Sequence, residues 1–406
     1  MAISALNAMV FAPIFFYCQF GVVVGGTQRC EAVISRWAFW SWGVGCDDKK
    51  GSTVKALELR VGKSAAKRLA EEGWHANLVD GLIGASGGPK WLILGQLDRV
   101  LVGELFAGRN RPLDAVGSSI GSWRHAAMAQ PNPSEAYDRF ERAYLTQHYT
   151  SAKPTVAEIT EVALGLMRCL LGEGGERHVV AHPWFRSHVV TARGKGLNGA
   201  APGPGLMAGM AAAALGNAVS RATLPLSFQR VVFAHQQARP VAPLLDGFET
   251  QYVALSEANV FNALMASGAI PYVFDGVYEI EGAGQGAFWD GGIIDYHFDV
   301  GRLPKDQVWL YPHFSNRMTV GWFDKFLPWR ANRQVSSDQL ITLCPSDAFL
   351  AQLPFGKIPD RRDFGKIPES IREQYWRDCV QASRRLADEF CELINGSDPL
   401  AGAVIL

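Results

Sequence analysis

Short apolar runs alternate with longer amphipathic stretches from about residue 54 onward, and this order predicts an α/β fold. Residues 77–84 form an apolar run that ends in glycine and predicts a buried strand. Residues 113–116 predict a second strand, and residues 122–128 predict a helix directly after it. The helix between the two strands carries apolar residues at three- and four-residue spacing, namely Trp91, Leu94, Leu97, Leu101 and Leu105. Such alternation favours a parallel sheet with helices on its faces, which places ligands at the carboxyl ends of the strands.

The same patterns continue toward the C-terminus. Further strands are predicted at residues 187–191, 230–234, 251–255 and 308–311, and helices at residues 156–171 and 369–393. The last helix has an apolar stripe that predicts packing on the sheet: Ile371, Tyr375, Cys379, Leu386, Phe390 and Leu393. Residues 194–222 are rich in Gly, Ala and Pro. This segment is interpreted either as a flexible loop followed by a tightly packed helix, or as a lid or lipid-facing insertion.

The first 53 residues lack this patterning. Residues 1–28 carry no charge, and residues 8–25 are mostly apolar, close to the ~20 residues that a membrane span requires. A signal peptide needs a positive n-region, whereas the first basic residue here is Arg29. Pro13 and Gln19 weaken the assignment of a membrane anchor. We therefore favour an extension at residues 1–53 and a folded domain at residues 54–406, with a membrane anchor as the second interpretation.

Composition narrows the class of protein. The 406 residues are 48% hydrophobic and 19% charged, a composition that excludes a disordered chain. The net charge is zero, so the chain has no excess of basic residues with which to bind nucleic acid. The cysteine count of 7 is odd, and no Cys-x-x-Cys occurs. His178, His182 and His188 have no clustered carboxylate beside them. We therefore expect reduced thiols in a cytoplasmic protein, with no metal and no cofactor.

A serine between two glycines is the first candidate for chemistry. Gly117, Ser119 and Gly121 form a Gly-x-Ser-x-Gly pattern that follows a predicted strand and opens a predicted helix, which is the context of a nucleophile elbow. A serine hydroxyl becomes a useful nucleophile only on a sharp turn beside a base. Ser118 and Ser122 lie close by, but only Ser119 occupies the central position of the Gly-x-Ser-x-Gly pattern. The alternative is an ordinary glycine-flanked turn.

Residues 84–90, with the sequence GASGGPK, form a second glycine motif. A Walker A loop needs Gly-Lys-Ser or Gly-Lys-Thr, but here Pro89 precedes Lys90 and Trp91 follows it. What remains is a run of backbone amides before a helix N-terminus, where an anion or a developing oxyanion is stabilised. Gly87 and Gly88 would permit close approach of the anion to the backbone amides. Lys90 would either add positive charge at this site or be solvated.

Asp290, Gly291 and Gly292 form the third motif, inside an otherwise apolar stretch. Burying a carboxylate is costly, so Asp290 is either the base partner of Ser119 or part of a turn. A Ser-His-Asp triad is an alternative, because His297 and His313 both follow Asp290 and give the chain order serine, acid, histidine. The apolar neighbours of His297 favour a place in the core. Residues 282–286 lack dinucleotide-binding spacing and predict a hairpin loop.

Together, in this order, the three motifs resemble the patatin-like phospholipase family. Residues 266–271, with the sequence ASGAIP, add a fourth matching segment ahead of Asp290. The likeness extends over roughly residues 80–295. It implies a three-layer α/β/α fold around a mainly parallel sheet, and a Ser–Asp dyad that works without histidine.

The resemblance also implies roles for individual residues. Ser119 would be the nucleophile and Asp290 the general base, while Gly87 and Gly88 would supply oxyanion amides. Lys90 matches the basic residue of the family's glycine-rich loop, and Ser86 and Lys90 would belong to the same oxyanion hole as the two glycines. The chain departs from the family at two positions of that loop, because Ser86 replaces the first glycine and Trp91 the last.

Three functions follow as hypotheses. The first is a lipid acyl hydrolase, with a lipid ester as substrate, peripheral contact with a membrane and no nucleic-acid partner. The second is a soluble esterase or thioesterase of the same fold. The third is a lipid-binding protein without catalysis, motivated by the altered loop at Ser86 and Trp91.

Overall fold

A computed structural model of the chain describes residues 54–151, 153–239, 241, 248–330 and 337–406. The predicted extension at residues 1–53 lies outside the described residues. Eleven strands of the described ranges form one sheet: β1 (Leu57–Val61), β2 (Gly81–Gly84), β3 (Leu113–Ser118), β4 (Phe185–Gly194), β5 (Phe228–Ala234), β6 (Thr250–Ala254), β7 (Val277–Ile280), β8 (Gly284–Asp290), β9 (Trp309–Pro312), β10 (Leu340–Pro345) and β11 (Val404–Ile405).

The sheet is mostly parallel, as the sequence predicted. Its order is β11-β1-β10-β9-β2-β3-β4-β5-β6, and the run from β10 through β4 is parallel throughout. Strands β7 and β8 form an antiparallel hairpin, and β8 also pairs with β4. The predicted hairpin is confirmed, but its loop is residues 281–283, because residues 284–286 of the predicted loop already belong to β8. This sheet, flanked by helices, gives the three-layer α/β/α architecture.

Helices occupy most of the remaining described chain: α1 (Lys63–Glu72), α2 (Gly95–Val100), α3 (Ile120–Met128), α4 (Pro133–Leu145), α5 (Val156–Leu171), α6 (Gly175–Val180), α7 (Pro204–Val219), α8 (Val260–Gly268), α9 (Asp347–Leu350), α10 (Asp363–Lys366) and α11 (Glu369–Asn395). The predicted helix after β2 is divided into a 3-10 helix (Gly88–Ile93), α2 and a π-helical turn (Leu101–Leu105). All five residues of its predicted stripe are buried. Within the described ranges, no helix is both long and apolar enough to cross a membrane.

The stripe predicted on α11 is correct except at its first member. Ile371 is 51% exposed, whereas the other members are buried. The neighbouring Arg372 takes the inward position in this first turn, where its guanidinium donates to the backbone carbonyl of Gln147 at 2.8 Å. A buried arginine with its own acceptor therefore replaces the expected apolar contact.

Helix α7 fills most of the unusual Gly/Ala/Pro-rich segment. It buries Leu206, Met210 and Ala213 in a small second core that also contains Phe228 and Trp289. The segment therefore contains the predicted small-residue helix, and this helix packs against the side of the sheet where β8 ends.

Candidate active site

Two strands meet end to end beside β4, and their junction builds the site. Strand β3 runs parallel to β4 and ends with Ser118 opposite Val190, while β8 runs antiparallel to β4 and ends with Asp290 opposite Thr191. Since Val190 and Thr191 are consecutive, the residue after β3 and the last residue of β8 arrive at the same point. Residues 171 positions apart in the chain thus become neighbours.

Ser119 lies on the turn between β3 and α3 in a strained conformation. Its φ of 54° and ψ of −130° are unusual for a residue with a Cβ, and such strain costs about 1–3 kcal/mol. Both flanking glycines are required by close packing. A Cβ at Gly121 would overlap the backbone carbonyl of Gly84, and one at Gly117 would lie 2.6 Å from the amide nitrogen of Ser122. The turn therefore pushes the Ser119 hydroxyl out from the end of the strand.

Ser267 holds this turn in place. Its hydroxyl accepts the backbone N–H of Ser119 at 2.9 Å and donates to the carbonyl of Val190 at 2.7 Å. Ser122 donates its hydroxyl to the carbonyl of Ser119 at 2.7 Å. Both backbone polar groups of Ser119 thus have side-chain partners, which stabilises the strained conformation.

The Asp290 carboxylate lies directly beside the Ser119 hydroxyl. Ser119 Oγ donates to Asp290 Oδ2 at 2.8 Å, and the amide of Gly292 donates to Asp290 Oδ1 at 2.7 Å. Burial raises the pKa of Asp290 to about 6, and the hydrogen bonds from Ser119 and Gly292 only partly oppose that rise. The carboxyl group is therefore basic enough to take a proton and still ionised at neutral pH.

The loop from Ser86 to Gly88 lies on the same cavity as these two side chains. Gly88 has a φ of 55°, which favours glycine, and a Cβ at Gly87 would lie 2.7 Å from the ring of Phe314. In the described part of the chain, neither glycine amide donates to a backbone carbonyl. Both N–H groups are thus available to an oxyanion.

Unlike Gly87 and Gly88, Ser86 does not offer a free amide to the predicted oxyanion hole, because its polar groups are already hydrogen-bonded. Its hydroxyl lies 2.7 Å from the Ser118 hydroxyl, and its amide donates to the carbonyl of Tyr296 at 2.9 Å. The serine that departs from the family's glycine pattern therefore ties the loop to β3. Its side chain is buried and already hydrogen-bonded.

Three basic side chains line the cavity with Ser119 and Asp290: Lys90, Lys325 and Arg361. The Lys90 ammonium lies 4.8 Å from the centre of the Phe314 ring, and the Lys325 ammonium 3.4 Å from that of Tyr296. Burial lowers the pKa of both lysines, and that of Lys325 falls well below its ordinary value. Apolar lining comes from Met210, Ile270, Pro271, Ile293 and Trp322.

The histidines named by the triad alternative lie elsewhere. His297 is buried against Tyr296, and its Nδ1 accepts the amide of Thr319 at 2.9 Å. His313 lies beside His297, with 4.4 Å between the ring centres, and its Nδ1 lies 2.5 Å from the carbonyl of Ser315. In the described ranges, neither ring makes a hydrogen bond to Ser119 or Asp290. The predicted core position of His297 is confirmed, and the geometry favours a dyad over a triad.

The structure gathers the residues predicted for the glycine loop, the nucleophile elbow and the dyad at one end of the sheet: Ser86, Gly87, Gly88, Lys90, Gly117, Ser119, Gly121 and Asp290. Three further residues of the site were not identified from the sequence: Ser267, Lys325 and Arg361. The ASGAIP segment was a signal for Ser267, but nothing in the patterning around Lys325 or Arg361 distinguishes them. No group of three or more histidine, cysteine or acidic side chains in the described ranges is arranged to hold a metal ion.

Comparison with known proteins gives one match. The family model described as patatin-like phospholipase matches residues 80–297, which is more than half of the chain. The match includes all three glycine motifs and the ASGAIP segment. A search of curated proteins found no match.

Proposed function

Because the chain belongs to the patatin-like phospholipase family, we propose that it is a lipid acyl hydrolase that cleaves ester bonds through an acyl-enzyme on Ser119. The observation that carries the proposal is the 2.8 Å hydrogen bond from Ser119 Oγ to Asp290 Oδ2. It pairs a serine on a strained turn with a carboxylate whose pKa is about 6. Such a carboxylate can accept a proton at neutral pH.

In the proposed first half-reaction, Ser119 Oγ attacks the ester carbonyl carbon and its proton passes to Asp290. The Gly87 and Gly88 amides stabilise the negative charge that develops on the carbonyl oxygen. The tetrahedral intermediate then expels the alcohol, which takes the proton from Asp290. In the second half-reaction, water gives a proton to Asp290 and attacks the acyl group, and Ser119 recovers the proton as the acid leaves.

An exposed apolar surface supports a lipid substrate over a small soluble ester. Val219 is 84% exposed and Leu226 is 81% exposed, both next to helix α7, whose Met210 lines the cavity. Phe326 and Trp329 are also exposed, and Arg330 joins their segment to α7 by donating to the carbonyl of Val219. We call Val219, Leu226, Phe326 and Trp329 the apolar rim. Exposed apolar surface of this kind suits contact with lipid.

The proposal is tested with a fluorophosphonate probe and p-nitrophenyl esters. Wild-type protein is expected to hydrolyse the esters and to carry the label on Ser119. Ser119→Ala is expected to lose both properties while keeping its thermal unfolding midpoint. Ser383→Ala removes another buried hydroxyl, on α11, and is the matched control. Ester hydrolysis at the wild-type rate by folded Ser119→Ala protein would contradict the proposal.

A further inference from the structure

Positive charge is concentrated in the cavity of the proposed active site. Lys90 comes from the loop after β2, Lys325 from a 3-10 helix (Phe323–Phe326), and Arg361 from the segment before α10. Side chains from three separate parts of the chain therefore converge beside Ser119 and Asp290. Lys325 and Arg361 lie beyond residues 80–297, which the family model matches.

In the part of the chain that the structure describes, none of the three makes an ion pair with a carboxylate. Arg361 Nη1 is buried there without a hydrogen-bond acceptor. The arginine lies against the glycine loop, since a Cβ at Gly88 would be 3.3 Å from its Nη2. By contrast, nearby Lys357 is paired with Asp363.

The acidic side chains of the cavity are already occupied. Asp290 accepts hydrogen bonds from Ser119 and Gly292. Asp360 accepts from both the backbone and the side chain of Arg362. A cationic headgroup such as choline would consequently find no free carboxylate among the described residues that line this cavity, and the Tyr296 ring already faces the Lys325 ammonium.

A buried guanidinium such as that of Arg361 stays charged, and its charge is costly unless a partner of opposite sign compensates for it. An anion beside Lys90 and Lys325 would in turn favour the charged forms of both lysines. We propose that the cavity binds esters whose non-scissile end carries a phosphate or carboxylate, and that Arg361 and Lys325 hold this anion while Ser119 attacks the ester. The inference rests on the proposed function, because it assigns the substrate class of the same site. Arg361 is suited to this task, since its planar guanidinium can donate two parallel hydrogen bonds to one oxyanion.

The test compares esters that share an acyl chain and differ only in charge. The substrates are 1-oleoylglycerol 3-phosphate, neutral 1-oleoylglycerol and zwitterionic 1-oleoylglycerophosphocholine, each below its aggregation limit. The readout is the ratio of kcat/KM for the anionic ester to kcat/KM for each other ester. In Arg361→Gln and Lys325→Met this ratio is expected to fall by about tenfold or more, as for a lost charged hydrogen bond. Arg361→Lys is expected to restore part of it.

Arg317→Gln is the matched control, because Arg317 lines an adjoining chamber but not the cavity with Ser119. Its ratio is expected to equal the wild-type ratio. The same measurements on the butyryl esters separate two sources of the anion. Preference for the oleoyl phosphate points to a lipid headgroup, and equal preference at both chain lengths points to a soluble anionic ester.

Failure of this inference is distinguishable from failure of the proposed function. If wild-type protein hydrolyses the three oleoyl esters equally well, or the ratio is unchanged in Arg361→Gln, the anion assignment is wrong and the hydrolase stands. If no ester is cleaved, binding of dodecyl phosphate and dodecanol to Ser119→Ala protein decides the matter. Tighter binding of the phosphate, weakened by Arg361→Gln, upholds the anion site without catalysis, and equal binding overturns it.

Discussion

Asp290 is subject to two opposing requirements. The proposed chemistry needs its ionised carboxylate, whereas its burial in the folded protein favours the neutral acid. Burial raises its pKa to about 6, so the ionised form that can take a proton from Ser119 dominates only above that pH. We expect kcat/KM for a neutral ester to rise about tenfold per pH unit below 6 and to level off above it. Initial rates from pH 4.5 to pH 8 check this, and a flat profile would contradict the role of Asp290 as base.

Asp290→Asn separates these two requirements. The asparagine keeps the size of the side chain but cannot accept the proton, so kcat is expected to fall by about 10²–10⁴-fold. Folding raises the pKa of this carboxyl from its ordinary 3.8 to about 6. Between these two pH values the folded state binds more protons than the unfolded state, so the free energy of unfolding falls as the pH rises through this range. The variant should therefore be more stable than wild type at pH 7 by up to ~3 kcal/mol, but not at pH 4. Urea unfolding at both pH values checks the sign.

Ser267 is a positioning residue, because it reaches the chemistry only through the backbone of Ser119. Ser267→Ala leaves a buried N–H without its acceptor, so the strained turn can relax away from Asp290. We expect kcat to fall by between about 10- and 100-fold with little change in KM, since a small misplacement of reacting groups is costly. Ser383→Ala, which removes a buried hydroxyl from α11, should change neither constant. Equal kcat values in the two variants would rule out the positioning role.

At the scale of elements, the sequence predicted those features that depend on neighbours in the chain. The β3–α3 turn was recognisable because Gly117, Ser119 and Gly121 encode it locally, and α5 has the bounds that its periodicity predicted. The predicted strand at residues 77–84 begins only at Gly81. Before it, the backbone carbonyls of Ala76 and Val79 accept hydrogen bonds from the Arg109 guanidinium instead of from a neighbouring strand.

Features that depend on distant pairing were beyond the sequence patterns. The register between β4 and β8 brings Asp290 to Ser119, and no local pattern specifies it. Lys325 and Arg361 enter the cavity through the same kind of long-range packing. Resemblance to a family supplied the pairing of Ser119 with Asp290, whereas it gave no information on Lys325 and Arg361.

The apolar rim leads to a prediction for the elements around α7. Val219→Asp combined with Leu226→Asp places two negative charges on the exposed apolar rim. We expect sedimentation with anionic vesicles, and hydrolysis of esters embedded in them, to fall by about tenfold or more, because the apolar contact is lost and the added charges are repelled. Hydrolysis of p-nitrophenyl butyrate in solution should be unchanged.

Ile371→Asp is the control for this prediction, since Ile371 is an exposed apolar residue on a different helix, α11. It should leave both activities and vesicle binding unaltered. Equal loss in the rim variant and in Ile371→Asp would show that surface charge alone matters. No loss in either would remove the apolar rim from the proposed contact with lipid.

The described residues pack around two hydrophobic cores. The large core runs from Ala56 to Leu393, and the smaller one lies between α7 and the sheet. Strand β1 starts at Leu57 and is paired on both edges, with β10 and β11. Both ends of the described chain are thus joined in one sheet, and from this pairing we propose that residues 54–406 form a folding unit.

We therefore expect a chain beginning at Val54 to fold and to keep the ester hydrolysis proposed for the full chain. Its thermal unfolding midpoint should lie within a few degrees of that of the full chain, because this chain keeps β1 and all the residues of the two described cores. A chain beginning at Lys63 is the matched comparison, since it loses β1 between β10 and β11 and should unfold at a clearly lower temperature. If the Val54 chain unfolds as early as the Lys63 chain, residues 1–53 belong to the folding unit. If it folds but loses only hydrolysis of vesicle-embedded esters, those residues contribute to lipid contact and not to the fold.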